Sequence, residues 1–316
     1  MPAASHLTQT PPATSALAAS ALKVLLYYDL FRYPLTAAEI FYHSRRTGHT
    51  EAQLRQCLSA LCEEQVLFHH HDCYLLKDDE QLVQRRKKGN DMASSMLKKA
   101  ASRAAFIAGF PYVRGVCVSG SLSKNYFDET TDIDFFIITA PNRLWLCRSL
   151  LILYKKIFLL NSKKYFCVNY FIDTSNLEIP DKNIFTATEI ITLLPFSNHS
   201  LYRDFFTANQ WVNEYYPHAV AAKGNETPGK KHLLKSFLEK IFDTPIGEWL
   251  DRSFYKATVK HWKKNFPDFT AEEFEVNMRS RKDVSKHHPQ GFQFRVLKMY
   301  EENCRAFEAK HGISLH

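Results

Sequence analysis

The sequence predicts an α+β fold, with a small mixed β-sheet flanked by two helix-rich regions. Three observations carry that prediction. Residues 116–119 form a short apolar run that breaks at Gly120-Ser121, and residues 133–139 form a second β-rich run entered through Asp132 and Asp134. Residues 164–173 (Lys-Tyr-Phe-Cys-Val-Asn-Tyr-Phe-Ile-Asp) are apolar on both alternating faces, the pattern of a covered, central strand. On either side of these runs, apolar residues recur at helical spacing, as at Leu22, Leu25, Leu26 and Leu30.

Composition narrows the class. A chain of 316 residues with 45% hydrophobic and 23% charged content is long enough for two or three domains with a sizeable core, and it is not of the disordered class. A net charge of +8 favours anionic partners such as nucleotides, nucleic acid or phosphorylated molecules, although the excess is spread along the chain. Seven cysteines, an odd number without any Cys-x-x-Cys pair, read as free thiols, with Cys117 and Cys167 in apolar strands. That usage points to a reducing, cytoplasmic setting. The most apolar stretch, 144–160, is interrupted by Arg148, Lys155 and Lys156 and falls short of the ~20 residues of a membrane helix, so no membrane partner is expected.

Along the chain, residues 1–20, rich in Ala, Ser, Thr and Pro, read as a disordered tail. Residues 21–90 read as three helices and a hairpin. The first helix stops before Pro34; Thr36 with Glu39 forms a capping box for the second; Thr50 opens the third, with Leu54, Leu58 and Leu61 on one face. The hairpin pairs 66–68 with 74–76. By fold-level analogy this is a winged-helix-like unit. Its third helix carries Glu51, Gln53, Arg55, Gln56, Glu63 and Glu64, which is not a basic face, so protein contacts are favoured over DNA as its role. Consecutive His69, His70 and His71 cannot all face one ion and read as a solvated tip.

Residues 91–180 hold the sheet, preceded by a helix over 78–108 whose Arg85-Arg-Lys-Lys88 cluster reads as a solvated face or as a neighbour of phosphates. Residues 181–316 read as a helical C-terminal region, with a linker near 219–231. Within it, Thr186 or Thr188 is the expected cap of one helix, and the aromatic residues Phe205, Phe206, Trp211 and Tyr215 read as core, with Asn209 and Trp211 as a base pocket the alternative. The polar stretch 279–288 reads as an exposed loop rather than an anion site.

The chemistry concentrates at residues 116–139. On a strand, side chains two apart share a face, so Asp132 and Asp134 project together, and such a pair calls for a divalent cation. Gly120-Ser121 offers backbone N–H groups and a hydroxyl suited to phosphate. Gly120-Ser121, ten residues, then Asp132-x-Asp134 resembles the signature of the polymerase-beta-like nucleotidyltransferase superfamily, in particular the small bacterial nucleotidyltransferase-domain proteins. Ser123, Lys124 and Asn125 depart from the small residue, Arg and Gly common in that branch.

The resemblance implies a nucleotidyltransferase core over 91–180 and transfer of a nucleoside monophosphate, AMP from ATP by analogy, to a hydroxyl acceptor with release of pyrophosphate. Asp132 and Asp134 would hold Mg²⁺ or Mn²⁺; Gly120 would admit the phosphates, Ser121 would bond them, and Lys124 would add a charge. The same resemblance calls for a third carboxylate on the strand 164–173, where Asp173 is the only acid and Asn169 is more central on the same face. With Asn169 in that place the usual catalysis would be lost, leaving a degenerate nucleotide-binding or regulatory protein; a DNA-binding regulator is a third reading. The acceptor (small molecule, protein side chain or RNA end) is not specified by the sequence.

Overall fold

The computed structural model describes residues 16–224 and 233–315. In chain order it contains α1 (Ala16–Asp29), β1 (Leu35–Thr36), α2 (Ala37–His43), α3 (Glu51–Glu63), β2 (Phe68–His70), β3 (Cys73–Leu75) and α4 (Glu80–Ala108). Then follow β4 (Val113–Ser119), α5 (Gly120–Ser123), β5 (Asp134–Thr139), α6 (Leu144–Phe158), β6 (Cys167–Asp173), α7 (Ile184–Ile191), β7 (Leu194–Ser197) and α8 (His199–Ala208). The remainder is α9 (Leu233–Phe242), α10 (Pro245–Asn265), α11 (Ala271–Asn277), β8 (Ser280–Arg281), β9 (Val284–Lys286) and α12 (Phe292–His311). The fold is α+β with a mixed sheet. Among the described residues no helix is long and apolar enough to cross a membrane.

The tail expected over 1–15 and the linker expected over 225–231 lie outside the described residues. Residues 16–20 are corrected from tail to helix, because Ala16, Ala18 and Ala19 are strong helix formers and two of them are buried.

The chain divides into two compact units, and the division differs from the expected one. The first comprises Met1–Lys88, Val212–Ala219 and Arg295–His316; the second comprises Gly89–Trp211 and Val220–Phe294. Residues 181–316 therefore form no separate helical region: β7, β8 and β9 belong to the sheet of the second unit.

In the first unit, Thr36 with Glu39 and Thr50 with Gln53 form the capping boxes of α2 and α3. Leu22, Leu54, Leu58 and Leu61 are wholly buried. The expected hairpin is present but shifted, pairing Phe68–His70 with Cys73–Leu75, so His69 and His70 lie on a strand rather than at the tip; β1 extends the hairpin to a three-stranded antiparallel sheet. Arg86 of the basic cluster is spent locally, in a bidentate pair with Glu39 at 2.7 and 2.8 Å. His70 and His71 pair with Asp78 and Glu80.

In the second unit the six strands run in the order β7-β4-β5-β6-β9-β8. Every neighbouring pair is antiparallel except β5–β6, which α6 connects as a crossover helix. One face of the sheet (Val116, Val118, Phe135, Ile137, Phe171) packs in a common core with Leu144, Trp145 and Leu151 of α6. The first turn of α6 receives no side-chain cap from its own N-cap residue, Arg143; instead Asp251 of α10 accepts from the Leu146 N–H at 2.8 Å. On the other face, Phe136 meets Phe205 and Tyr170, each at 5.2 Å between ring centroids.

In this unit three strands, β7, β8 and β9, escaped the sequence reading. β7 carries Pro195, a residue that marks an edge strand, and β7 does stand at the sheet edge. β8 and β9 are too short and polar for an alternation signal, so stretch 279–288 is corrected from an exposed loop to a sheet hairpin in which Val284, Ser285 and Lys286 are buried. The cap of α7 is Asn183, not Thr186 or Thr188.

Candidate functional site

The antiparallel register of β4 and β5 sets Ser119 directly opposite Asp134, so the turn after β4 begins beside the first residue of β5. Gly120 occupies the left-handed region at φ +69°, and a Cβ there would lie 2.5 Å from Asp134 Oδ2. The carbonyl of Ser121 accepts from the N–H groups of Lys124 and Tyr126, which closes the turn. Asn125 adopts φ 58°, a conformation asparagine tolerates better than most residues. Both conditions on Gly120 predict one result: Gly120→Ala will displace Asp134 and cost about 1–3 kcal/mol in unfolding free energy, read by urea denaturation.

Asp134 is partly buried, and its Oδ1 accepts from the Asn169 amide at 3.1 Å. Burial pushes its carboxyl up to about 6, the charges of Asp132 and Glu189 push the same way, and the Cys167 thiol and Lys124 oppose them. Asp132 lies just before β5 rather than on it, so the same-strand argument holds for Asp134 alone; the two carboxylates nevertheless line one cavity.

Two expected site residues lie elsewhere. Asp173 pairs with Thr139 at the far end of β5–β6, five register steps beyond Asp134 and Cys167, and it accepts from the backbone and hydroxyl of Ser175. It is corrected from third carboxylate to the anchor of a strand-terminal turn. A register shift between Phe135 and Phe136 brings Asn169 beside Asp134, so an amide holds the position where a third acid was sought. Lys124 is tied to Glu189 at 2.8 Å and to the Gly120 carbonyl at 3.0 Å, so its charge is already partnered.

Two cavities meet at Asp134. One, of about 400 Å³, is reached by Ser119, Gly120 and Ser121 and walled by Phe136, Phe185 and Phe205. The other, of about 790 Å³, is reached by Asp132, Arg148, Lys155 and His287. Asp134, Asn169 and His288 line both. His288 Nε2 is buried with no hydrogen-bond partner among the described residues, and burial holds the ring well below its ordinary value, at about 3, so it is neutral. The wall of the smaller cavity includes Asp181, which binds Arg279 at 2.8 and 3.0 Å and Lys286 at 3.2 Å.

Sequence reasoning missed Glu189, Asp181, Lys286 and His288. Glu189 sits late in α7 without a pattern that marks it, and the other three come together through pairing of β6 with β9, for which a three-residue polar strand gives no signal. Asn209, the alternative base-pocket residue, is fully buried and saturated by Ile179, Leu177, Phe205 and Trp211, as the core reading required.

Among the described residues no group of three or more His, Cys, Asp or Glu is placed to hold a metal ion. Comparison with family models, with curated proteins and with solved structures finds no match to this chain.

Proposed function

We propose that this protein binds a nucleoside triphosphate with Mg²⁺ or Mn²⁺ at the Gly120–Asp134 edge and transfers its nucleoside monophosphate to a hydroxyl acceptor. The observation that carries the reading is the contact of the Gly120 turn with Asp134, a fit so close that only glycine is accommodated. A phosphate-binding turn and a metal-binding carboxylate would have to be that near to act on one triphosphate.

The donor set suits a single hard cation. Mg²⁺ is commonly held by one or two protein carboxylates and completes its shell with water and phosphate oxygens. Asp132 and Asp134 supply that pair, and their mutual repulsion, part of what raises the Asp134 carboxyl, is the strain a cation relieves. When bound, the ion would neutralise triphosphate charge and favour ionisation of the acceptor hydroxyl. The chain's own residues do the remainder: Gly120 leaves room for phosphate oxygens, Ser121 offers its hydroxyl, and Phe136, Phe185 and Phe205 give the base an apolar wall. In the reaction, the acceptor oxygen bonds to the α-phosphorus, the α–β bridging P–O bond breaks, pyrophosphate leaves, and the hydroxyl proton passes to solvent.

A second reading rests on Asn169. With an amide beside Asp134 the site lacks the third acid that the family resemblance calls for, which favours a protein that binds nucleotide without transferring it. Winged-helix-like character of the N-terminal elements would then suit a regulatory role. Purified protein incubated with Mg²⁺ and triphosphates labelled at the α-phosphate separates the two. Transfer of label to any hydroxyl acceptor, reduced at least about a hundredfold in Asp132→Ala, supports the first. Mg²⁺-dependent binding with no transfer supports the second, and absence of binding removes both.

A further inference from the structure

The larger cavity carries a cluster of cations that the described acids leave unanswered. Arg148 is 9% exposed and Lys155 8%, and neither forms an ion pair or a side-chain hydrogen bond with any described residue. They stand two turns apart on α6, with Lys156 beside them and Lys163 in the loop that follows. The Arg148 guanidinium lies 4.8 Å from the Trp262 ring and 5.7 Å from that of Trp145, a packing that positions the charge without neutralising it. Burial pulls Arg148 down to about 10 and lowers Lys155, and Lys155 is lowered further by the charges of Lys163, Arg148 and Lys156. On the facing wall, burial and the same cations push His287 down to about 4, so it adds no charge of its own. Asp132 and Asp134 line the same cavity but form no ion pair with Arg148 or Lys155; buried cations left unpaired are costly, and a site that retains them has a use for them.

We infer that this cavity is the acceptor subsite and that the acceptor is a small hydroxyl compound carrying a phosphate or equivalent oxyanion, bound by Arg148 and Lys155 with Lys156 and Lys163 at the rim. This rests on the nucleotidyltransferase reading. Gly120 and Ser121 line only the smaller cavity, so the triphosphate belongs on that side, and Asp134 is the partition that both cavities share. Donor and acceptor must flank the carboxylates for the transfer written above, which leaves the cationic side to the acceptor. A volume of about 790 Å³ suits a metabolite-sized ligand. A nucleic-acid strand instead needs a row of cations along the surface with stacking aromatics, whereas Arg148 and Lys155 are sunk below it.

The test is calorimetry on the full chain, with inorganic phosphate in metal-free buffer at low salt and, separately, with Mg²⁺ and ATP. We expect saturable phosphate binding that weakens at least about tenfold in Arg148→Leu and in Lys155→Met, with the affinity for Mg²⁺-ATP changed by less than about threefold. Replacing a buried unpaired cation by an apolar residue should leave the fold intact, checked by circular dichroism. Unchanged phosphate binding in both variants, or none at millimolar phosphate, overturns the inference while Mg²⁺-ATP binding keeps the nucleotide reading. Loss of ATP binding in the same variants also overturns it, by placing the triphosphate on the cations. Single-stranded RNA bound by the wild type and lost in both variants overturns the small-molecule assignment. Phosphate binding that behaves as expected, with no ATP binding to the wild type, sinks the nucleotide reading and leaves the anion site standing.

Discussion

Asp181→Ala is expected to destabilise the second unit by about 3–5 kcal/mol at neutral pH, the cost of stranding buried charge. Asp181 accepts two hydrogen bonds from Arg279 and one from Lys286, and the three side chains are 11%, 6% and 6% exposed. Burial alone would raise the Asp181 carboxyl, but the Arg279 hydrogen bonds and the Lys286 charge outweigh it and hold the group below the ordinary carboxylate range. A folded-state value below the unfolded one stabilises above the unfolded value of ~3.9 and loses that stabilisation as pH falls through it toward the folded value. The wild type should therefore lose stability on acidification through that window, and the gap between wild type and Asp181→Ala should narrow. Asp181→Asn, which still accepts hydrogen bonds but brings no charge, should fall between them. Urea denaturation at pH 7 and near pH 3 measures both effects. Equal stability of Asp181→Ala and wild type at pH 7 would show that Arg279 and Lys286 find other partners.

The network also shows which parts of the chain can be read without coordinates. β4, the Gly120 turn and β5 were legible because their pattern is local: an apolar run, a residue that tolerates positive φ, and a second apolar run opening with acids. The capping boxes at Thr36 and Thr50 were legible or partly so for the same reason, as each is complete within four residues. Asp181 lies 98 residues from Arg279 and 105 from Lys286, and meets them because β9 joins β6. Polarity made 279–288 look solvated, yet Arg279 and Lys286 are buried because the distant Asp181 receives them, while Arg281 and Lys282 stay exposed. Asp173 failed in the opposite way. Strand parity put it on the same face as Asn169, but parity says nothing about distance along the strand, and register set it against Thr139.

Asn169→Asp is expected to raise Mg²⁺ affinity at least about tenfold while lowering the stability of the metal-free protein by roughly 1–3 kcal/mol at pH 8. Asn169 now donates to Asp134 Oδ1 at 3.1 Å, so the amide satisfies that oxygen, while the Asp132 charge still pushes the Asp134 carboxyl up. An aspartate in its place removes the donor and sets a third carboxylate beside two that already repel. The Asp134 carboxyl is pushed up to about 6 in the native protein, and the variant should raise it further. A folded-state value above the unfolded one stabilises below the unfolded value, and that contribution is lost as pH rises through the folded one. The variant's deficit should thus be small near pH 4 and full at pH 8. Millimolar Mg²⁺ should reverse it, because a divalent ion among three carboxylates removes the repulsion that caused it. Thermal denaturation at both pH values, with and without Mg²⁺, reads every term. A Mg²⁺-dependent rise in melting temperature larger in the variant than in the wild type would mark this edge as a cation site in which the wild-type amide tempers affinity. No response to Mg²⁺ in either protein would remove the metal from the site, and with it the transfer chemistry proposed for Asp132 and Asp134.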